Sequence, residues 1–569
     1  MNPTMSSRIA GLDRVARRHL VKSAAAGQLH FFVGAGISVE PPASIPLARS
    51  IIATILAEGA RRTPTLADSW QRLADGLAQP TNFLTMEGLL QHMSEILEPH
   101  PLQTPVVFAV DRPQERMNLS HLFLAEWMLA QRGEVLTVNL DRLLESAAEV
   151  LNCAPPPSAT APTDFVGWET RLRTTTVWKL HGDADPRSAA VTLTLVATPL
   201  GDERAQLLRH CLRTGSVCFV GWRGADLDIL PILAAELRSP SALNEHYWVL
   251  TPRAGASRLG DRLALEPTLL RLFESTPRLR AISDTSDSFF RWAFQNLLAR
   301  PAPVTSALPS VTCMDGIGRD LDAAGTLGVT KLCGFLLRAQ GDLTVSAELL
   351  ESAGFGAAQG SGLLLREAAL ARYESDDTTT ALTLNRAAQE LHRHGHSDGE
   401  VLAWTEFGNL GLALSGKAPR WRRLVVVVQL VICRRRFDRS KWRSRELGIA
   451  YCTFYLTDQL EQLARRLGLS RRPVVRRRLS RSYRRCLPAT VSAGSIEQRA
   501  LVLRRLARVE ARAHPDLALE LMDEALALSR TLTRMRYIWC LGDAVAVATD
   551  AGDLVRAKAF SGELAGLKR

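Results

Sequence analysis

No two cysteines stand at C-x-x-C spacing; all nine are scattered singly. No Cys/His cluster has metal-ligand spacing either, so neither a structural zinc site nor a disulfide framework is expected, and no metal is assigned. Free buried thiols in a reducing compartment fit that usage. Long apolar runs are also missing. The longest, Leu424 to Cys433, is broken by Gln429 and covers about half of the ~20 residues that a membrane span needs. Met1 to His30 has no sustained apolar stretch ahead of a small-residue cleavage site. A cytoplasmic location without a membrane partner is therefore expected. Acidic residues are scarce in one region: from Lys417 to Arg485 about four stand against about twenty Lys/Arg.

A chain of 569 residues, 46% hydrophobic and 22% charged, has the composition of a soluble protein with two or more cores. The net charge is 70 − 58 = +12, with the surplus in the C-terminal half. From His30 to about Leu298, short apolar runs alternate with helical patterns, which predicts a doubly wound, Rossmann-like α/β fold with a parallel sheet. The strand candidates are His30 to Val33, Glu134 to Val138, Thr176 to Leu180, Val217 to Val220 and His246 to Leu250. Leu56 to about Asp111 has helical periodicity and reads as an insertion after the first strand unit. Pro301-Ala-Pro303 and Ser306 to Ser310 suit a boundary. The expected domains are 1–300, a linker at 301–311, and an all-α region at 312–569. In that last region Ala347 and Ala381 are separated by 34 residues, the period of a tetratricopeptide (TPR) repeat. A repeat solenoid and a generic helical bundle both remain open.

The chemistry-bearing residues follow strands. His30-Phe-Phe-Val-Gly34-Ala35-Gly36-Ile37-Ser38 is an apolar run entering a glycine turn whose following amides suit a pyrophosphate. Leu136-Thr-Val-Asn139-Leu-Asp141 and Val177-Trp-Lys-Leu-His181-Gly-Asp183 place polar side chains directly after buried strands, where parallel sheets bind their ligands. Val217-Cys-Phe-Val-Gly221-Trp222 ends a further strand in glycine.

The order GAGIS, TxN-x-D, KLHG and FVG over roughly residues 20–300 resembles the Sir2 (sirtuin) family. With Gly-Trp-Arg-Gly-Ala-Asp-Leu-Asp at 221–228 and Asp287-Ser-Phe-Phe-Arg291, it is more similar to the divergent bacterial branch than to the deacylases. The resemblance implies NAD as substrate. Gly34, Ala35, Gly36 and Ser38 would hold its phosphates, and Gly221 and Trp222 would flank the adenosine half. Asn139 and Asp141 would sit at the nicotinamide ribose and carboxamide side, with His181 as the catalytic histidine. Breaking the glycosidic bond produces an oxocarbenium-like ribose. An Asn can position water there without becoming charged, and a histidine titrating near neutrality can accept a proton. Deacylase sirtuins carry a four-cysteine zinc module, a G-I-P-D-F-R segment and a T-Q-N-I-D block. Here the cysteine pairs are missing, Ser44-Ile-Pro-Leu-Ala-Arg49 replaces the second, and Val138 stands for the glutamine. Water is then the expected acceptor, giving nicotinamide and ADP-ribose, with cyclisation a variant outcome.

A Sir2-like hydrolase fused to a helical region resembles bacterial antiviral (anti-phage) effectors. The resemblance implies a homo-oligomer whose C-terminal part binds a phage-derived protein or a nucleic-acid trigger. The arginines of 420–485, clustered at Arg434 to Arg436 and Arg476 to Arg478 and interleaved with Trp421, Trp442 and Tyr483, fit either a nucleic-acid surface or a solvated helix face. A non-enzymatic nucleotide-binding module is the alternative class, and a deacylase or ADP-ribosyltransferase comes after it.

Overall fold

The computed structural model describes residues 13–568 except 80–81, 98–99, 110–111, 153–155, 185–191, 193–194, 197, 225, 240–243, 252–271, 274–275, 277, 306–314, 357–361, 395–398, 416–419, 443 and 471. The chain divides into two compact units, 1–51 with 99–320 and 52–98 with 321–569.

The first unit is built on a seven-stranded, all-parallel sheet in the order β3-β4-β2-β1-β5-β6-β7. Its strands are β1 (Leu29–Val33), β2 (Val135–Thr137), β3 (Ser158–Ala159), β4 (Val177–Lys179), β5 (Ser216–Val220), β6 (His246–Leu250) and β7 (Leu279–Ser283). The inner strands read as unbroken apolar runs because helices cover both faces of a parallel sheet. Successive side chains point to opposite faces, and the register turns this into continuous rows. Ala159, Trp178, Leu136, Phe32, Phe219, Trp248 and Ala281 form one lateral row across all seven strands, and all lie in one core. Their sequence neighbours Phe31, Val135, Val177, Cys218 and Tyr247 fill the core on the other face, with Phe123, Trp127 and Phe290. Each large side chain so buried contributes about 1.5–3 kcal/mol.

All five sequence-predicted strands are present, with ends shifted by one residue or so. Two more were not expected. β3 is only two residues long and follows a proline run, and β7 carries Arg280 in the middle of its apolar pattern.

The second unit is helical, and its helices pack mainly on their neighbours in sequence. Ala347, Ala381 and Ala388 are fully buried, as close helix crossings require. The segment expected as an insertion forms helices Ala67–Ala78 and Met86–Leu97. These belong to the helical unit and not to the sheet unit. Phe83 lies 5.8 Å from Tyr537 between ring centroids, and Asn82 accepts from Gln340 Nε2 at 2.8 Å. Among the unit's buried charged residues is Glu374, whose side chain is 0% exposed. Its Oε1 accepts from Arg338 Nη2 and from Arg536 Nε, both at 2.9 Å, and its Oε2 from Arg338 Nε at 3.1 Å.

The chain passes between the units three times: within helix Ala48–Arg62, at 98–99 outside the described residues, and within helix Asp315–Gln340, which is kinked at Gly325 with φ 62°. Of the expected linker, residues 306–311 lie outside the described residues, as do Cys153 and Cys313; the seven described cysteines are all free and buried. Among the described residues no helix is long and apolar enough to cross a membrane.

Candidate active site

Because every strand is parallel, the loops after them gather at one edge of the sheet. β1 is central: the chain goes from it to β2 on one side, and from β5 to β6 on the other. The turns after β1 and β5 therefore flank the point where the winding reverses, the usual place for a ligand in an open α/β sheet. These turns are fused backbone to backbone. Gly34 N–H donates to Val220 O at 3.1 Å and Gly36 N–H to Gly221 O at 2.8 Å. A Cβ on Gly36 would lie 2.7 Å from Gly221 Cα, and Gly221 itself has φ +66°. The glycines are required by this close approach. Ala35 is exposed at the turn, which continues as a short 3₁₀ helix, Ala35–Ser38.

Ser38 is the hub of a buried network. Asn118 caps helix Leu119–Leu129, and its backbone N–H donates to His121 Nδ1 at 3.1 Å. The ring's proton must then sit on Nε2, 3.1 Å from Ser38 Oγ. Burial holds His121 neutral, with its pKa lowered to about 3. Ser38 Oγ donates its single hydrogen bond to Asp141 Oδ2 at 2.9 Å and also accepts from Asn139 Nδ2 at 3.2 Å. One donor and two acceptors exhaust the hydroxyl. The Asn139 amide is thereby oriented: its nitrogen faces Ser38, and its Oδ1, buried, has no hydrogen-bond partner among the described residues. A buried acceptor without a partner is costly unless a ligand donates to it.

Asp141 is held from three directions. Its Oδ1 accepts from Leu143 N–H at 3.1 Å, at the start of helix Leu143–Asn152, and its backbone oxygen from Lys179 Nζ at 2.6 Å. Burial lifts its carboxyl above the usual range against the pull of Lys179. Lys179, fully buried on β4, also reaches Glu145 at 3.1 Å and Asp183 at 3.3 Å.

Thr137 pairs with Lys179 in the β2–β4 register, so Asn139 and His181 each follow the same rung by two residues, at the same edge. His181 Nε2 lies 3.0 Å from Asp228 Oδ2, and Nδ1 lies 3.7 Å from Asp226 Oδ1. Burial by itself would lower the His181 pKa, but the charge and hydrogen bond of Asp228, with Asp226 behind it, overcome that and raise it to about 9. This corrects the expectation of a histidine titrating near neutrality. The reason is two carboxylates supplied by the loop after β5.

Of the residues expected to touch NAD, Gly34, Ala35, Gly36, Ser38, Asn139, Asp141, His181 and Gly221 all lie on loops at this edge. The Trp222 ring is instead packed into the core, stacked on Trp248 at 5.0 Å and 10°, and its Nε1 donates to Asp226. Within the block 221–228, Ala225 lies outside the described residues. Sequence reasoning gave no role to Asn118, His121, Lys179, Asp226 or Asp228. The nearest signals were the helix cap Asn118-Leu-Ser-His121 and the two acids of the 221–228 block.

The family model of the SIR2-like domain matches residues 133–268. The chain therefore carries a SIR2-like domain that includes Asn139, Asp141, His181, Gly221 and Asp228, while the Gly34–Ser38 turn lies ahead of the match. Such a domain supports an NAD-related, enzymatic function of the Sir2 kind. No curated protein matches the chain. Among the described residues no group of three or more His, Cys, Asp or Glu could hold a metal ion.

Proposed function

We propose that this chain hydrolyses NAD to nicotinamide and ADP-ribose, acting as a regulated, cytoplasmic anti-phage effector. The observation that carries the chemistry is the buried Oδ1 of Asn139, without a partner among the described residues and two residues past the same rung as His181, which pairs with Asp228. A ribose hydroxyl or the attacking water would donate to Asn139 Oδ1. As the C1′–N bond breaks, its electron pair leaves with the nicotinamide nitrogen. The water oxygen bonds to C1′ and its proton passes to neutral His181, whose imidazolium Asp228 stabilises. A ribose hydroxyl attacking in place of water gives the cyclic product. The direct test incubates the full-length protein with NAD and follows nicotinamide and ADP-ribose. Binding of NAD without turnover, under any trigger tried, would instead favour the non-enzymatic module, and acyl-lysine removal would favour a deacylase. For the regulatory part, support comes from a large helical unit joined in one chain to the sheet unit. It would hold the enzyme in check until a partner binds, in a homo-oligomer or otherwise.

The raised pKa of His181 fixes the pH dependence. The neutral form is the base, so the rate should climb about tenfold per unit through neutrality and level off above about pH 9. In Asp228→Asn the carboxylate no longer holds the proton, so the rising limb should move to lower pH while the plateau falls. A wild-type kcat that is flat from about pH 6 to about pH 9 would remove His181 from the role of base. The same shift contributes stability that is full below the unfolded histidine value of about 6.5 and lost as pH rises through about 9.

A further inference from the structure

From Gln462 to Ile496 the chain has no acidic residue and ten arginines. Helix Pro473–Arg484 occupies the middle of this stretch. It buries Leu479, Ser480 and Tyr483 against the unit, followed by Cys486 just past its end, and that choice of face decides where the arginines go. Arg477, Arg478, Arg481 and Arg485 fall at spacings of one, three and four and are all exposed, with Arg472 and Arg484 exposed at the two ends.

The neighbouring helix Ile496–Glu510 treats its arginines differently. Arg499 is paired with Glu524 at 2.6 Å, Arg504 and Arg508 with Asp543 at 2.6 and 2.9 Å, and Arg505 with Asp458 at 2.9 Å. Arg477, Arg478, Arg481 and Arg485 have no acid within salt-bridge distance among the described residues, whereas Arg484 reaches Glu510 at 3.2 Å. Like charges three and four apart on a helix repel, each pair costing about 0.2–0.5 kcal/mol in isolation. An outward row of them is a surface that lacks its counter-charge.

We propose that helix Pro473–Arg484, with Arg485 just beyond it, docks the phosphate backbone of a nucleic-acid duplex without reading its sequence. The span from Arg477 to Arg485 rises about 12 Å at about 1.5 Å per residue. A duplex carries one negative charge per roughly 1.7 Å of axis with both strands counted, so about seven phosphates fall within that length, enough to meet the row of arginines. The geometry disfavours the two other polyanions. An anionic membrane surface is the weaker fit, because Leu479 and Tyr483 are buried in the unit and Val474 is left as an exposed apolar side chain of this helix for insertion. Single strands are usually gripped by stacking on aromatics, and Tyr483, the aromatic of this helix, is fully buried. Binding stands apart from NAD cleavage because it is measured without NAD, so failure of either reading leaves the other intact.

The test titrates full-length protein into labelled DNA and RNA duplexes of about 30 base pairs at salt from about 50 to 200 mM, with phosphatidylglycerol vesicles as a third arm. The wild type should bind at least one duplex and lose roughly 10²–10³-fold in affinity across that range, as four or five neutralised phosphates predict. Replacing Arg477, Arg478, Arg481 and Arg485 together by Gln should weaken low-salt binding by about 10²-fold and flatten the slope by about 3–4. The same four replaced by Lys should bind nearly as wild type, because backbone contact requires charge and not the guanidinium fork. That rescue, with unchanged thermal midpoints, separates lost contact from lost fold. The proposal is overturned if neither duplex binds at low salt, if the Gln variant keeps the wild-type affinity and slope, or if vesicles bind through these arginines and duplexes do not compete.

Discussion

Replacing His181 with Ala should lower nicotinamide release by about 10²–10⁴-fold, the usual worth of a positioned general base. Asn139→Ala should cost a comparable factor, because it removes a buried acceptor that has no hydrogen-bond partner among the described residues. Asn139→Ala should leave the thermal midpoint nearly unmoved, since Asn139 makes a single side-chain bond to Ser38, whereas His181→Ala should lower it at neutral pH, because it strands buried Asp228 without its partner. His121 acts one step back. His121→Ala should remove the donor that fixes Ser38, letting the Asn139 amide turn, and should lower kcat by about tenfold, near the cost of one hydrogen bond to an oriented group. His121→Gln, which can still donate to Ser38, should recover part of that loss. Steady-state kinetics with thermal melts on each variant decide the matter. Wild-type turnover in both His181→Ala and Asn139→Ala would require another catalytic group.

The largest expected effect on stability lies in the second unit. Glu374→Ala should destabilise the chain by about 1–3 kcal/mol, because Arg338 and Arg536 lose their shared buried carboxylate and keep only Glu367 at 3.2 Å and Glu497 at 2.8 Å. Burial alone would push the Glu374 carboxyl up, but the two guanidinium groups hold it below the usual range, so the charge to be lost is present at neutral pH. Replacing Arg338, Glu374 and Arg536 together by apolar residues of similar size should cost less than the single change, since the fully buried charges go together and the carboxylates left behind, Glu367 and Glu497, are 16% and 40% exposed. Urea unfolding of the full-length protein, followed through the transition that reports the helical unit, measures both. A Glu374→Ala cost below about 1 kcal/mol would mean that Glu367, Glu497 or water already satisfies the two arginines.

The row Trp178–Leu136–Phe32–Phe219–Trp248 explains why the sheet was readable. Strands covered on both faces announce themselves as apolar runs, and the polar residues that follow them, Asn139 and His181, are then placed at one edge by topology alone. β3 and β7 escaped because one is too short for a pattern and the other is interrupted by an arginine. The network around Ser38 was not legible, since its bonds join residues 83 and 103 positions apart with no local signature. The pKa of His181 was misjudged for the same kind of reason: its partner Asp228 is 47 positions downstream. Periodicity did identify the helices at 67–78 and 86–97. An apolar stripe says that a helix is buried, but not by what, and the covering surface here comes from more than two hundred residues later in the chain.

That discontinuity has a consequence for how the protein is made. Ribosomes deliver about 5–20 residues per second, so residues 52–98 leave the exit tunnel roughly ten to forty seconds before position 321, where their partners begin, has been synthesised. During that interval the segment, whose Leu73, Leu89, Leu90 and Met93 are buried in the finished protein, lacks the later helices that complete its unit, and a chaperone is the natural caretaker. Stopping synthesis near Arg300 would make that lack permanent. A soluble sheet unit is therefore to be sought by replacing 52–98 with a short linker and ending the chain near Asp320, not by cutting off its C-terminal half.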